Sequence, residues 1–474
     1  MNTDGASLSK SSKLSMWPVF LIINELPLHK RFAIDNVILA GLTVGENKPN
    51  MDFFLNPIVI QLKRLELGVN ITIENNTRDR KFFCICSCCD KPAKAALLNM
   101  QMFNSFYGCT KCLQKAQTFK TSELKLMSST SEQAEDAIQE PSENQRELVV
   151  KQNKRDGTTR LYTYNEDWRI KRTEENYKED LKQTMANIAN KAKDPEVRGV
   201  KGPCILSTLK YFHPIRSHCI DYMHTVLEGV IKNFFKYWFD SAFTKSSFSL
   251  RKYMKEIDNR ISLIKPPKFV PSTPRSIHSY TFWSAHEYLS FFMYYSLAVF
   301  KDIMSHERYE NIKKLILFLE TILSRKIKIE RLKKVEKFLI EFVSELESLY
   351  TKSIMLSGVH ELLHLTDCTF DFGPLNLTNC FQYEEMNRKL MRIIHGNDLI
   401  GEEIIKVYLG MQILSTYSNY STNLKLKKYI ESRELFKTSN KKRNRHLAED
   451  LIVIKKVIPS TNCRSSLEAQ SLRF

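Results

Sequence analysis

Residues 81–112 read KFFCICSCCDKPAKAALLNMQMFNSFYGCTKC. The run KFFCICSCC is a compact strand candidate that stops at Asp90. In PAKAALLNMQMF, Pro92 falls in the first turn of a helix-forming segment, where a missing N–H costs nothing. Beyond that helix, Cys109 and Cys112 make a CxxC pair, a spacing that lets both thiolates reach one tetrahedral Zn²⁺; the alternative is two buried thiols. An acid at a strand end is often only a turn residue, so Asp90 needs partners before it means chemistry.

Upstream, WPVFLIINEL and NVILAGLTV read as strands separated by a polar turn. MDFFLNPIVIQLKRLELG repeats apolar residues at helical spacing despite Pro57. Strands, helix, strand and helix predict an α/β layer over residues 1–115. Downstream, SSTSEQAEDAIQEPSENQRE has too few large apolar groups to order itself, which predicts a flexible loop over 116–170. Residues 171–355 are helical in pattern, as in HTVLEGVIKNFFKYWF and YENIKKLILFLETILSR, and predict an all-helical insertion. The core resumes over 356–425, and 426–474 is a basic tail containing KKRNRH, readable as a phosphate contact or a nuclear localisation signal.

The chain of 474 residues carries 71 Lys and Arg against 53 Asp and Glu, a net charge of +18. Such an excess gains most binding free energy from a polyanion. The N-terminus MNTDGASLSK has no apolar signal core, and the run YLSFFMYYSLAVF is too short to span a bilayer, so no membrane partner is expected. Eleven cysteines, an odd number, predict reduced thiols and a cytosolic or nuclear protein.

VHELLHL, residues 359–365, places His360 and His364 four apart and, with Glu361, spells the HExxH of zinc peptidases. A peptidase leaves the CxxC and the basic charge unexplained. The two pairs together predict a Cys₂His₂ zinc clasp, Cys109, Cys112, His360 and His364, closing the ends of the helical insertion. Asp4 follows the stump of a strand, Asp90 ends another, and Glu384 opens the helix FQYEEMNRKLMRIIHG. A ribonuclease-H-like sheet gathers acids in this way, and such hard oxygen ligands suit two Mg²⁺ or Mn²⁺ ions for phosphodiester chemistry.

Five ordered blocks carry a resemblance: NTDGASLSKSSKLSMWPVFLIINELP, ILAGLTVGENKPNMDFFLNP, CDKPAKAALLNMQMFNSFYGCTKC, GVKGPCILS with CIDYMHTVLEGV, and VHELLHL with FGPLNLTNCFQYEEMNRKLMRIIHG. Together they resemble the CACTA (En/Spm-like) DNA transposases, the invertebrate transposase-domain proteins most of all. The resemblance implies an RNase-H-like DDE core interrupted by a large all-α insertion. It implies cleavage and joining of double-stranded DNA, transposon ends and target, by Asp4, Asp90 and Glu384 (or Glu385), with structural Zn²⁺, a homodimer and a nuclear location. Asp221 and His224, in DYMH, match its Dx₂H motif; if they serve the site, Asp221→Ala is expected to slow strand transfer without unfolding the chain. The chain departs from the pattern at Val44, where Trp is usual. Only Met1, Asn2 and Thr3 precede Asp4 where a full leading strand is usual, and no DNA-binding module precedes the core. Those departures leave a second expectation, a DNA-binding or interaction protein that keeps the scaffold without cutting.

Overall fold

The computed structural model describes residues 1–8, 13–73, 75–120, 157–270, 272–394, 399–420, 423–425 and 428. It divides into two units, Met1–Lys406 and Val407–Phe474. The basic tail lies outside the described residues except for its Lys428.

The sheet of the first unit begins with β1 (Asn2–Thr3), β2 (Ala6–Ser7), β3 (Ser15–Leu21) and β4 (Ile38–Gly45). β1 and β2 both pair antiparallel with β3, and β3 pairs antiparallel with β4. A short helix α1 (Leu28–Arg31) sits in the β3–β4 connection. Helix α2 (Met51–Leu67) starts where the Asn50 side-chain oxygen Oδ1 accepts the Asp52 and Phe53 N–H groups, and it buries Met51, Leu55, Ile58, Val59 and Leu62 at helical spacing against β4. A hairpin, β5 (Val69–Ile73) and β6 (Asn76–Arg80), follows it.

The predicted strand KFFCICSCC is real only at its end, as β7 (Ser87–Cys89). Phe82, Phe83 and Ile85 stay exposed, so the first half of that run has no sheet partner to bury it. Likewise the helix after Asp90 is shorter than its sequence suggests: α3 (Lys91–Leu97) stops at the positive-φ Asn99. Asp90 is its N-cap, accepting the Ala93 N–H at 2.7 Å. Two main-chain bonds lay Met1 beside β7 in parallel fashion, amine to Cys86 C=O at 3.0 Å and Met1 C=O from Cys88 N–H at 2.9 Å. Asn2 and Thr3 are therefore buried between β3 and β7, with Asp4 at the exit.

The stretch expected to be a loop over 116–170 contains an antiparallel pair, β8 (Gln117–Lys120) with β9 (Thr158–Leu161); residues 121–156 lie outside the described residues. Helix α4 (Glu174–Ala189) opens on a capping box of Thr173 and Asn176. The expected all-helical insertion is interrupted by β10 (His218–Ile220), the parallel partner of β7. Three residues are too few to show strand periodicity, and only the sheet edge makes them a strand. One antiparallel sheet thus holds β4, β3, β1 and β2, a separate parallel pair holds β7 and β10, and the Met1 bonds set the two side by side.

After β10, a π-helical segment Met223–Ile231 runs into α5 (Lys232–Phe239). Then come α6 (Met254–Leu263), α7 (Ala285–Ser290), α8 (Ser296–Phe300), α9 (His306–Ile322) and α10 (Ile329–Leu349). They enclose an aromatic core in which Phe235 packs edge-on against Trp283, Tyr288 and Phe291, and the Trp238 indole N–H donates to the Tyr350 hydroxyl at 3.1 Å. The chain returns through α11 (Ser357–Leu362), α12 (Leu365–Phe372), α13 (Phe381–Ile393) and α14 (Ile400–Tyr420). None of the described helices is long and apolar enough to cross a membrane.

Candidate active site and metal clasp

Asp4 leaves the end of β1 and Asp90 the end of β7, strands that lie side by side. Burial raises the Asp4 carboxyl to about 7, with the neighbouring Asp90 charge adding to it and His224 opposing. Burial likewise raises Asp90, against the pull of the Ala93 N–H, His224 and Lys48. Next to Asp4, Gly5 lets the backbone pass close under Trp17: a Cβ there would lie 2.5 Å from the ring. Lys48, which the sequence reading missed, stands beside both acids and donates to the Pro92 carbonyl at 3.1 Å.

Glu384, on the first turn of α13, joins them through His224. The His224 ring bonds Asp221 through Nδ1 at 2.7 Å and Glu384 through Nε2 at 2.8 Å. Burial alone would lower that imidazole, but the two carboxylates lift it to about 11, so it is a cation between them. Glu385 faces elsewhere, paired with Arg388. The π-helical register that carries His224 depends on Gly229, where a Cβ would stand 2.8 Å from the His224 carbonyl oxygen. Asp4, Asp90 and Glu384 do not all approach within 4.8 Å of one another; among the described residues, the groups that do are Cys109, Cys112, His360 and His364, and Cys88, Asp221 and Cys380.

Asp221 is buried, and its carboxylate also accepts the N–H groups of Cys380 (2.9 Å) and His224 (2.9 Å). It therefore ties the start of the π-helical segment to the residue leading into α13. Asp221→Ala is therefore expected to cost stability as well as any strand-transfer rate. Removing that carboxylate orphans buried donors and is expected to lower unfolding free energy by roughly 3 kcal/mol. Urea unfolding followed by circular dichroism reads this directly, and an unchanged midpoint would contradict it.

The zinc-type residues meet as the sequence spacing predicts. Cys112 Sγ lies 3.2 Å from His360 Nε2, and the His360 and His364 Nε2 atoms are 3.4 Å apart. All four residues are buried. One tetrahedral Zn²⁺ with ligands at about 2.0–2.3 Å sets its ligand atoms at separations of this size. Although burial opposes it, the Cys109 thiol is drawn below its usual range by Cys112 and the two imidazoles, a polarisation that suits a thiolate ligand. The surroundings hold the ligands: Tyr162 stacks on His360, and Lys171 reaches His364 Nδ1 (3.2 Å) and Asp367 (2.6 Å). Lys111, inside the CxxC, donates to the carbonyls of Ile215 (2.9 Å) and His218 (2.7 Å), pinning the loop to β10.

HELLH is not one helix. His364 is the cap residue between α11 and α12, with φ −108° and ψ 1°. Nor is Glu361 available as a general base. Its carboxylate takes the Lys94 ammonium at 2.9 Å, Lys91 at 3.1 Å and the Thr225 hydroxyl at 2.9 Å. Burial would raise this carboxyl, yet the two lysines hold it down to about 2. Lys91 and Lys94 lie on α3, directly behind Asp90, so Glu361 links the histidine helix to the second acid.

Residues 1–155 match the model of the transposase family tnp2. The match supports a transposase-type protein and, with it, DNA as a partner. It spans Asp4, Asp90, Cys109 and Cys112, and ends before Asp221, His224 and Glu384 and before His360 and His364, which join Cys109 and Cys112. Among curated proteins, none matches the chain. Beyond the residues singled out in the sequence, the fold adds Lys48, Lys91, Lys94, Tyr162 and Lys171. Lysines and a tyrosine carry no spacing signal, so only contact reveals them.

Proposed function

We propose that the chain cleaves and joins DNA strands as a CACTA-type transposase on an RNase-H-like core, with Asp4, Asp90 and Glu384 as its acids. The observation that carries this reading is that one imidazole, His224, bonds Glu384 and also acts electrostatically on Asp4 and Asp90, acids from distant segments. The strand arrangement supports it too, with the first acid just past β1 and the second just past β7, strands set side by side by the Met1 bonds.

Asp4 and Asp90 would hold a divalent cation, Mg²⁺ or Mn²⁺, with Glu384 as a further ligand. Their donor set fits: hard oxygens, partly desolvated, with Asp4 raised in part by the Asp90 charge. Such an ion, when bound, supplies nucleophile activation and charge stabilisation at the leaving oxygen. His224 holds Glu384 and Asp221 in register as a charged bridge, and Lys48 places a cation where a phosphate would lie. The Cys₂His₂ group would hold zinc as a structural clasp. Double-stranded DNA as substrate points to the nucleus, and pairing of two DNA ends calls for two copies of the chain.

One observation favours a second reading, DNA binding without cleavage: Glu384 is engaged by His224 and not drawn up to Asp4 and Asp90. A supercoiled-plasmid assay separates the two. With Mg²⁺ or Mn²⁺ the zinc-loaded chain is expected to nick the plasmid. Asp90→Asn, which keeps the helix cap but removes the charge, is expected to lower the rate by at least about 100-fold. A folded, zinc-loaded chain that binds DNA and leaves it supercoiled establishes the second reading. Nicking undiminished by Asp90→Asn would remove Asp90 from the site.

A further inference from the structure

Between α2 and β7 the chain leaves the core as the ribbon β5–β6, whose residues are exposed or half-buried throughout. The register pairs Val69 with Arg80, Ile71 with Arg78 and Ile73 with Asn76, and residues directly opposite in an antiparallel pair share a face. One face therefore carries Val69, Ile71, Ile73, Asn76, Arg78 and Arg80. The other carries Asn70, Thr72, Thr77 and Asp79. Among the described strand residues of the ribbon, both arginines stand on the face without an acid, next to the exposed Lys81. Asp79 folds back on the opposite side, so close over Gly68 that a Cβ there would lie 2.4 Å from its carboxylate. The Thr72 and Thr77 hydroxyls bond each other at 2.7 Å.

The root of the ribbon is fixed. Phe82 N–H donates to the Leu65 carbonyl at 3.1 Å, and the Glu66 carboxylate accepts the Lys210 N–H at 3.1 Å. Its far end is not packed, and Ile73 is 67 % exposed. Burial in the core does not account for such a projection.

We propose that the arginine face of this ribbon is a contact for duplex DNA, with Arg78 and Arg80 on phosphates of one backbone. Charge complementarity selects the occupant: two arginines on one face, two residues apart on a strand and so rooted about 6.8 Å apart at their Cα atoms, can each take a phosphate of a regular anionic backbone. A two-stranded ribbon also fits the major groove. The proposal rests on the transposase reading and adds to it a surface remote in sequence from the histidine pair and from Glu384.

The test uses the full chain and a duplex oligonucleotide. Arg78→Gln with Arg80→Gln is expected to weaken binding roughly fivefold to tenfold per arginine at 0.1 M salt, and to reduce the slope of log Kd against log salt by about two. Asn70→Glu with Thr72→Glu changes the ribbon's charge equally, on the opposite face, and is expected to leave that slope unchanged. Circular dichroism and zinc content verify that both variants are folded. Wild-type affinity in the arginine variant, or equal losses from both pairs, overturns the ribbon contact and leaves the transposase reading standing. A wild-type chain that fails to bind the duplex at low salt overturns both.

Discussion

Cys112→Ser is expected to purify without zinc and with a much weakened fold, whereas the wild type carries about one zinc per chain. Structural zinc sites contribute about 10–16 kcal/mol of binding free energy to the folded state, so disabling one of four ligands should lower unfolding free energy by on the order of 5 kcal/mol. The clasp's position makes the effect global. Cys109 and Cys112 sit in a loop pinned to β10, while His360 and His364 sit on α11 and at the start of α12, beyond the whole helical insertion. Zinc analysis of wild type and variant, with thermal unfolding before and after a strong chelator, checks both parts. Zinc retained at the wild-type ratio by Cys112→Ser, with an unshifted transition, would remove Cys112 from the clasp and reopen the question of what the histidine pair binds.

Glu361→Leu is the second large effect, and it separates a structural Glu361 from a peptidase base. The substitution leaves the Lys94 ammonium buried with no carboxylate and costs Lys91 the same partner. Breaking one side of a buried ion pair typically costs about 3–5 kcal/mol, and that loss is expected in urea unfolding. Replacing all three members together, Lys91→Met, Lys94→Met and Glu361→Leu, removes the uncompensated charges and is expected to recover most of it, because apolar substitutes for buried ion networks are often close to neutral. A general base would behave differently. Its loss would leave stability unchanged, and a Glu361→Leu chain as stable as wild type would therefore sink the structural assignment.

Much of the candidate site was legible in the sequence because its ligands are rare residue types at short, geometry-bound spacings. CxxC and Hx₃H each fix two donors within one turn, so local backbone geometry alone brings each pair together, and both pairs meet as expected. Helix α2 was legible for the same kind of reason, since its apolar stripe is local. The misreadings lie where partners are distant. Three residues, His218–Ile220, become a strand only because β7 offers them a parallel edge. KFFCICSCC loses its first half because none of the described strands pairs with it. HELLH reads as a continuous helix, yet it breaks at His364, where ring contacts with Trp168 and His360 and a cap geometry replace the next helical turn.

The sequence by itself therefore determined the chemistry on offer: which acids, thiols and imidazoles exist, how they pair locally, and that the chain is basic enough to favour a polyanion. Tertiary structure alone decided how that chemistry is wired. It placed Asp4 beside Asp90 through the Met1–β7 bonds, set a cationic His224 between Asp221 and Glu384, and turned Glu361 from an apparent base into a counter-ion for Lys91 and Lys94. The physical reason is range. Spacing and periodicity act over a few residues, whereas a carboxylate's role is set by whichever charges and N–H groups folding brings within a few ångströms of it.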